Sequence, residues 1–247
     1  MDRMLYVAMT GAKSMMQAQT INTNNLANAN TTGFKEDLMN FSAKEVQGKG
    51  YDTRVHSIVA ENGVNQSSGA LMTTGRSLDV SVDGDGMIAV QSPSGKEAYT
   101  RAGNFNITGS GLLVTKGGTP VLGNDGGPIA IPPSQKVEIG SDGTISVIPL
   151  GQPATSLAVV DRIKLVNPDI TKISKGADGL FYTKESDTAA FDARVKLVSG
   201  TLETSNVNAV EAMVNMITLS RVYEADVKMM SNAEENDKAS SKLLDMA

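Results

Sequence analysis

Oxygen-bearing side chains occupy alternate positions in Asp79-Val80-Ser81-Val82-Asp83, and Gly84 follows, which is the order of the first half of a calcium loop. The second half is missing. Position twelve is Val90 where the loop needs a bidentate Glu, and the alternation of apolar with polar residues is that of a strand. The single His, His56, has neither a second imidazole nor a thiolate to share a zinc ion with, because the chain contains no Cys. Disulfides and thiol nucleophiles are excluded with it. Glycine is abundant at 24 residues, yet it forms no phosphate cradle and no serine elbow, and sits instead in turn-like clusters. Arg101, in Tyr99-Thr100-Arg101-Ala102-Gly103, and Arg221, ahead of Tyr223 and Glu224, are candidate functional residues, set against the commoner fate of a surface salt bridge or helix i,i+3 pairing. No catalytic residue, metal site, cofactor or small-molecule substrate is expected.

A net charge of −5 without a basic block argues against a nucleic-acid partner. No stretch approaches the roughly 18 apolar residues of a membrane span. Residues 4–12 form a short apolar run, but Asp2 and Lys13 flank it where a signal peptide needs a basic segment and small residues. With 40% hydrophobic residues in 247, the chain can bury a core as one large domain or two ordinary ones.

The elements that would position these residues change character twice. Residues 1–29 predict an amphipathic helix, with Leu5, Ala8, Ala12, Met15, Gln19, Asn22 and Leu26 at alternating spacings of three and four. The Asn-rich run through Asn25 and Asn28 weakens it, and Gly33 ends it, before Phe34 anchors the next segment. Residues 34–53 predict an extended connector anchored by Leu38 and Phe41. From 54 to 205 short apolar or β-branched runs alternate with Gly-rich turns, which predicts an all-β domain, a sandwich or irregular barrel. Residues 78–83 read as a strand with one buried face, joined through Asp83-Gly84-Asp85-Gly86 as a hairpin to 87–91. Further strands are expected at 105–108, 112–115, 129–131, 136–139, 144–148, 162–166 and 194–198.

The period then returns to that of a helix from 206 to about 245, with Asn208 and Glu211 at capping-box spacing. Positions 213, 216, 220, 223, 227 and 230 predict its seam. The fold class is therefore mainly β with terminal helices. The terminal segments 1–33 and 206–247 form a discontinuous, coiled-coil-like helical domain around the β domain. Each helix carries more apolar surface than one partner covers, which marks an interface.

Four stretches carry a resemblance. They are Asn24-Asn25-Leu26-Ala27-Asn28 with Thr32-Gly33-Phe34-Lys35; Arg76-Ser77-Leu78-Asp79-Val80 leading to Asp83-Gly84-Asp85-Gly86-Met87; Ala98-Tyr99-Thr100-Arg101-Ala102-Gly103-Asn104-Phe105; and Gly200-Thr201-Leu202-Glu203-Thr204-Ser205-Asn206-Val207 with Arg221-Val222-Tyr223-Glu224. In this order the chain resembles the flagellar rod and hook family of bacterial axial proteins. Its length and opening residues look most like a proximal-rod subunit, and a distal-rod subunit is the alternative.

The resemblance implies a structural, non-enzymatic subunit of the basal-body rod. Its terminal helices would pack with other axial proteins into a torque-transmitting tube, with the β domain as an outer layer. It also implies delivery by the flagellar type III export apparatus without a cleaved signal. The assembly interface expected from seams and signatures comprises Leu5, Ala8, Ala12, Met15, Asn25, Leu26, Asn28, Gly33, Phe34, Leu202, Glu203, Ser205, Asn206, Val207, Met213, Ile217, Arg221, Tyr223, Glu224 and Val227. The competing class is a ligand-binding module on the β domain, motivated by its Asp-rich turns. A third is a soluble coiled-coil adaptor.

Overall fold

The computed structural model describes residues 3–45, 55–59, 63–153, 156–184 and 188–245. The chain divides into two units: Met1–Ala29 with Glu36–Gln66 and Val207–Ala247, and Asn30–Lys35 with Ser67–Asn206. The segment expected as a connector to residue 53 thus groups with the helices, and the β unit takes up the chain at Ser67.

In the helical unit, α1 runs Arg3–Ala27 and is followed by β1 (Asp37–Leu38), β2 (Phe41–Glu45), β3 (Val55–Val59) and β4 (Gly63–Val64); α2 closes it as Ala209–Asp245. The strands form two antiparallel pairs, β1 with β4 and β2 with β3. Helix α1 stops at the Asn-rich run, where the Asn28 N–H donates to the carbonyls of both Asn24 and Asn25. Asn25 does more than weaken a helix. Its amide Nδ2 donates to the Asp37 carbonyl and its Oδ1 accepts from the Asp37 N–H, both at 2.9 Å. A buried side chain thereby satisfies the donor and acceptor of a strand residue. Asn25→Ala should remove both of these hydrogen bonds and destabilise the unit by about 1–3 kcal/mol, read as lost hydrogen-exchange protection at the Asp37 amide.

The two helices pair antiparallel, because Asn22 Nδ2 donates to the Ala212 carbonyl at 2.7 Å while the Gly11 end of α1 lies against Asp226. Ala8 and Ala12 on α1 and Ala212 and Ala233 on α2 are buried. Small side chains let the helix backbones approach closely. Helix α2 consequently turns Ala212, Met216, Leu219, Ser220, Asp226, Met230 and Ala233 inward, which keeps 216, 220 and 230 of the expected seam and leaves 213, 223 and 227 outside it. Its N-terminus is capped as expected, with the Asn208 Oδ1 accepting from the Val210 and Glu211 N–H groups.

The β unit comprises β5 (Leu71–Thr73), β6 (Val80–Asp83), β7 (Met87–Gln91), β8 (Glu97–Thr100), β9 (Phe105–Ile107), β10 (Leu113–Thr115), β11 (Ser134–Ile139), β12 (Thr144–Pro149), β13 (Ala158–Arg162), β14 (Leu165–Val166), β15 (Ile173–Lys175), β16 (Phe181–Thr183), β17 (Lys196–Ser199) and β18 (Thr201–Glu203). The protein is mainly β with one helix at each end. Its central strands fall into several sheets: a five-stranded one in the order β14-β7-β8-β16-β15, a three-stranded one, β11-β12-β13, and the pairs β9 with β10, β6 with β17 and β5 with β18. They enclose one apolar cluster that includes Val80, Ile88, Phe105, Leu113, Ile145, Ile163 and Leu165.

Four expectations are corrected here. The Asp83–Gly86 turn is a corner between sheets, since β6 pairs with β17 and β7 with β8 and β14. The face of β6 expected to be polar is exposed only at Asp83: Ser81 is buried, its hydroxyl 2.7 Å from that of Thr201, so a hydrogen bond replaces solvent. The strand expected at 162–166 is broken, because Ile163 leaves β13 to bridge Gly123 before β14 begins, and 129–131 contributes a bridge from Ala130 to Leu112 instead of a strand.

Tyr99 in β8 is 1% exposed; its hydroxyl donates to Glu97 and accepts from the Ala189 N–H. Burial, assisted by the Glu97 carboxylate, pushes its phenol up to about 12. A folded pKa above the unfolded value of 10.0 contributes stability that is complete below pH 10 and lost as pH rises through about 12. Burial also raises the phenol of Tyr182, so ultraviolet titration of the native chain should show late phenolate ionisation from both, and Tyr99→Phe should remove the part that titrates near 12.

Candidate functional site

The residues expected at the assembly interface separate into three groups. Leu5, Ala8, Ala12, Met15 and Leu26 are buried or half-buried on the side of α1 that carries Gly11 and Asn22, so the α1 stripe is turned toward α2. Asn25 is occupied by Asp37, and Asn28 is half-buried at the helix end.

The second group, Gly33, Phe34, Leu202, Glu203, Ser205 and Asn206, lies inside the β unit around a buried ion cluster. Glu203, 1% exposed, accepts from Lys35 Nζ at 2.7 Å and the Gly69 N–H at 3.0 Å on one carboxylate oxygen, and from Arg101 Nη1 at 3.0 Å on the other. Arg101 Nη2 donates to the Gly84 carbonyl, which ties the cluster to the corner between β6 and β7. Arg101 is 3% exposed, so the surface salt bridge expected for it is corrected to a buried one. Gly33 adopts φ 68°, and a Cβ there would meet the Arg101–Ala102 peptide at 2.4 Å, so only glycine fits. The Lys175 ammonium sits 3.8 Å over the Phe34 ring and donates to the Lys35 carbonyl.

Opposing shifts follow from this geometry. Burial lowers the Lys35 pKa despite its bond to Glu203. Burial alone would raise that of Glu203, but Lys35, the Gly69 N–H and Arg101 together carry it below the ordinary value.

The third group is open. Met213, Ile217, Arg221, Tyr223, Glu224 and Val227 are exposed on α2, and Val207 is half-buried just ahead of it. On the side of α2 away from Ala212, Val210 is 71% exposed, Val214 57%, Ile217 56% and Met213 53%, an apolar patch over the first turns. Tyr6, Met9 and Met16 are likewise exposed on α1. Sequence reasoning missed Val210 and Val214, which lie off the expected seam. It also missed Lys35 as a partner. Lys35 and Arg101 stand in the quoted stretches, but a pairing across 168 residues leaves no local periodicity.

Three family models match the chain: "Flagella basal body rod protein" over residues 5–35, "Flagellar hook protein FlgE/F/G D1 domain" over 81–147 and "Flagellar basal body rod FlgEFG protein C-terminal" over 198–243. Together they take in most of both helices and a large part of the β unit, and they define an axial protein of the bacterial flagellum. The comparison with whole proteins is narrower. The flagellar basal-body rod protein FlgF of Salmonella typhimurium is 37% identical over 253 residues, covering all of both chains. FlgF of Caulobacter vibrioides is 37% identical over 95% of each chain, and FlgG of Bacillus subtilis 30% identical over 95% of this chain and 96% of its own. The chain belongs to the flagellar basal-body rod protein family, and it is a structural rod subunit of the kind named FlgF.

Proposed function

We propose that this subunit is incorporated into the proximal rod through its helix pair, which packs against the helix pairs of other axial proteins in a coiled-coil-like layer. The observation that carries the reading is the apolar patch Val210, Met213, Val214 and Ile217, which α1 leaves uncovered. Full burial of four such side chains is worth on the order of 5–10 kcal/mol before the cost of ordering neighbours. Alanine and glycine serve the intramolecular seam, while the larger side chains serve partners; methionines at 9, 16 and 213 suit surfaces that meet slightly different neighbours. The subunit reaches the rod through the flagellar type III export apparatus. Placement in the distal rod is the second reading.

A tagged copy in a strain lacking the chromosomal gene tests this directly. Swimming should be restored and the tag retained in detergent-extracted basal bodies. Restored swimming with the tag recovered only from the soluble fraction would refute incorporation.

A further inference from the structure

The chain passes between the two units at 29/30, 35/36, 66/67 and 206/207; Lys35 stands at the second crossing, Ser67 and Gly69, which bond to the cluster, follow the third, and Glu203 shortly precedes the fourth. Within the β unit the residues beside these exits are bonded to one another. The Gly33 N–H donates to the Glu203 carbonyl at 2.8 Å, Asn206 N–H to the Phe34 carbonyl at 3.4 Å, and both Asn206 Nδ2 and Lys35 Nζ to the Ser67 carbonyl. The strands at these exits are weak by themselves: β5 and β18 pair over only three residues, and Leu71 and Met72 are exposed. Tension at a strand end breaks such a ladder one bond at a time.

We propose that Lys35, Arg101 and Glu203 form a mechanical clamp that holds the β unit closed against tension entering through its chain exits. The clamp works because its bonds converge on one carboxylate. Withdrawing residue 203 breaks the bonds from Lys35, Gly69 and Arg101 together and strands two buried cations, while withdrawing residue 35 takes one of the two cations from Glu203 and leaves the load on Arg101, which passes it to the Gly84 corner. The inference concerns the β unit and does not depend on what the helices bind.

The absence of Cys makes thiol handles unambiguous. In single-molecule pulling of the full chain through Thr20→Cys and Asp125→Cys, tension enters the β unit at residue 30. Glu203→Gln should then shorten its lifetime at fixed load roughly a hundredfold. Val82→Ala, which thins the core, serves as the comparison, with temperature adjusted so that both variants sit equally far below their melting points. It should shorten that lifetime far less, and should match or exceed Glu203→Gln when the handles are Ser110→Cys and Gln152→Cys. Arg101→Lys, which keeps the charge but cannot bridge Glu203 to Gly84, should reproduce the exit-specific loss and substitutes if Glu203→Gln does not fold. Equal losses for cluster and core variants in both pulling directions would overturn the clamp and leave a cluster that only adds stability.

Discussion

Glu203→Gln should destabilise the β unit by about 3–5 kcal/mol, as expected for removal of one partner from a buried ionic group. The carboxylate accepts from Lys35, Gly69 and Arg101. An amide has one acceptor oxygen and turns an N–H toward a cation, leaving two buried positive charges without their counterion. Replacing all three, as Lys35→Met, Arg101→Met and Glu203→Leu together, should recover most of the loss, because it removes the desolvation cost along with the attraction.

The pH dependence separates this account from a packing defect. Glu203 has a folded pKa below its unfolded value of 4.5, so its stabilisation is present above that value and lost as pH falls through the folded one. Lys35 also has a lowered pKa, below its ordinary 10.5, so the folded state binds its proton less readily and gains stability as pH rises between the folded and unfolded values. Urea denaturation across the acid range should show the Glu203 contribution in the native chain and a flatter profile in the triple variant. A Glu203→Gln chain as stable as the native one would show that the cluster contributes little.

The second large effect concerns assembly. Val214→Asp with Ile217→Asp should abolish swimming while shifting the stability of the isolated chain by about 0.5 kcal/mol or less, since both side chains already face solvent. In an assembled layer each carboxylate would be desolvated without a partner, at a cost of several kcal/mol. Thermal denaturation of the purified chain and motility of the complemented strain measure the two halves independently. Swimming at the native level would exclude this face from the interface.

The sequence revealed what depends on local period and missed what depends on distant pairing. The α1 stripe from Leu5 to Leu26 was legible because one helix face sets it, and the Asn208 cap because it spans three residues. The α2 seam was displaced, since apolar residues crowd every face there and only packing reveals that Ala212 and Ala233 turn inward. The hairpin expected at Asp83–Gly86 failed for a related reason. A Gly-rich turn permits a reversal, but the choice of β17 over β7 as the partner of β6 is made by residues more than a hundred positions away. The ion cluster was the least legible feature, because Lys35, Arg101 and Glu203 each look like a surface charge until the fold brings them together.

The central claim, that the uncovered face of α2 is where the subunit joins the rod, is tested most directly by placing a photoactivatable phenylalanine analogue at Ile217 and irradiating swimming cells. The account predicts covalent adducts with other axial rod proteins in purified basal bodies, and their loss when Val214→Asp is added. Incorporation into basal bodies with no adduct at this position, or with adducts only inside the same chain, would contradict it.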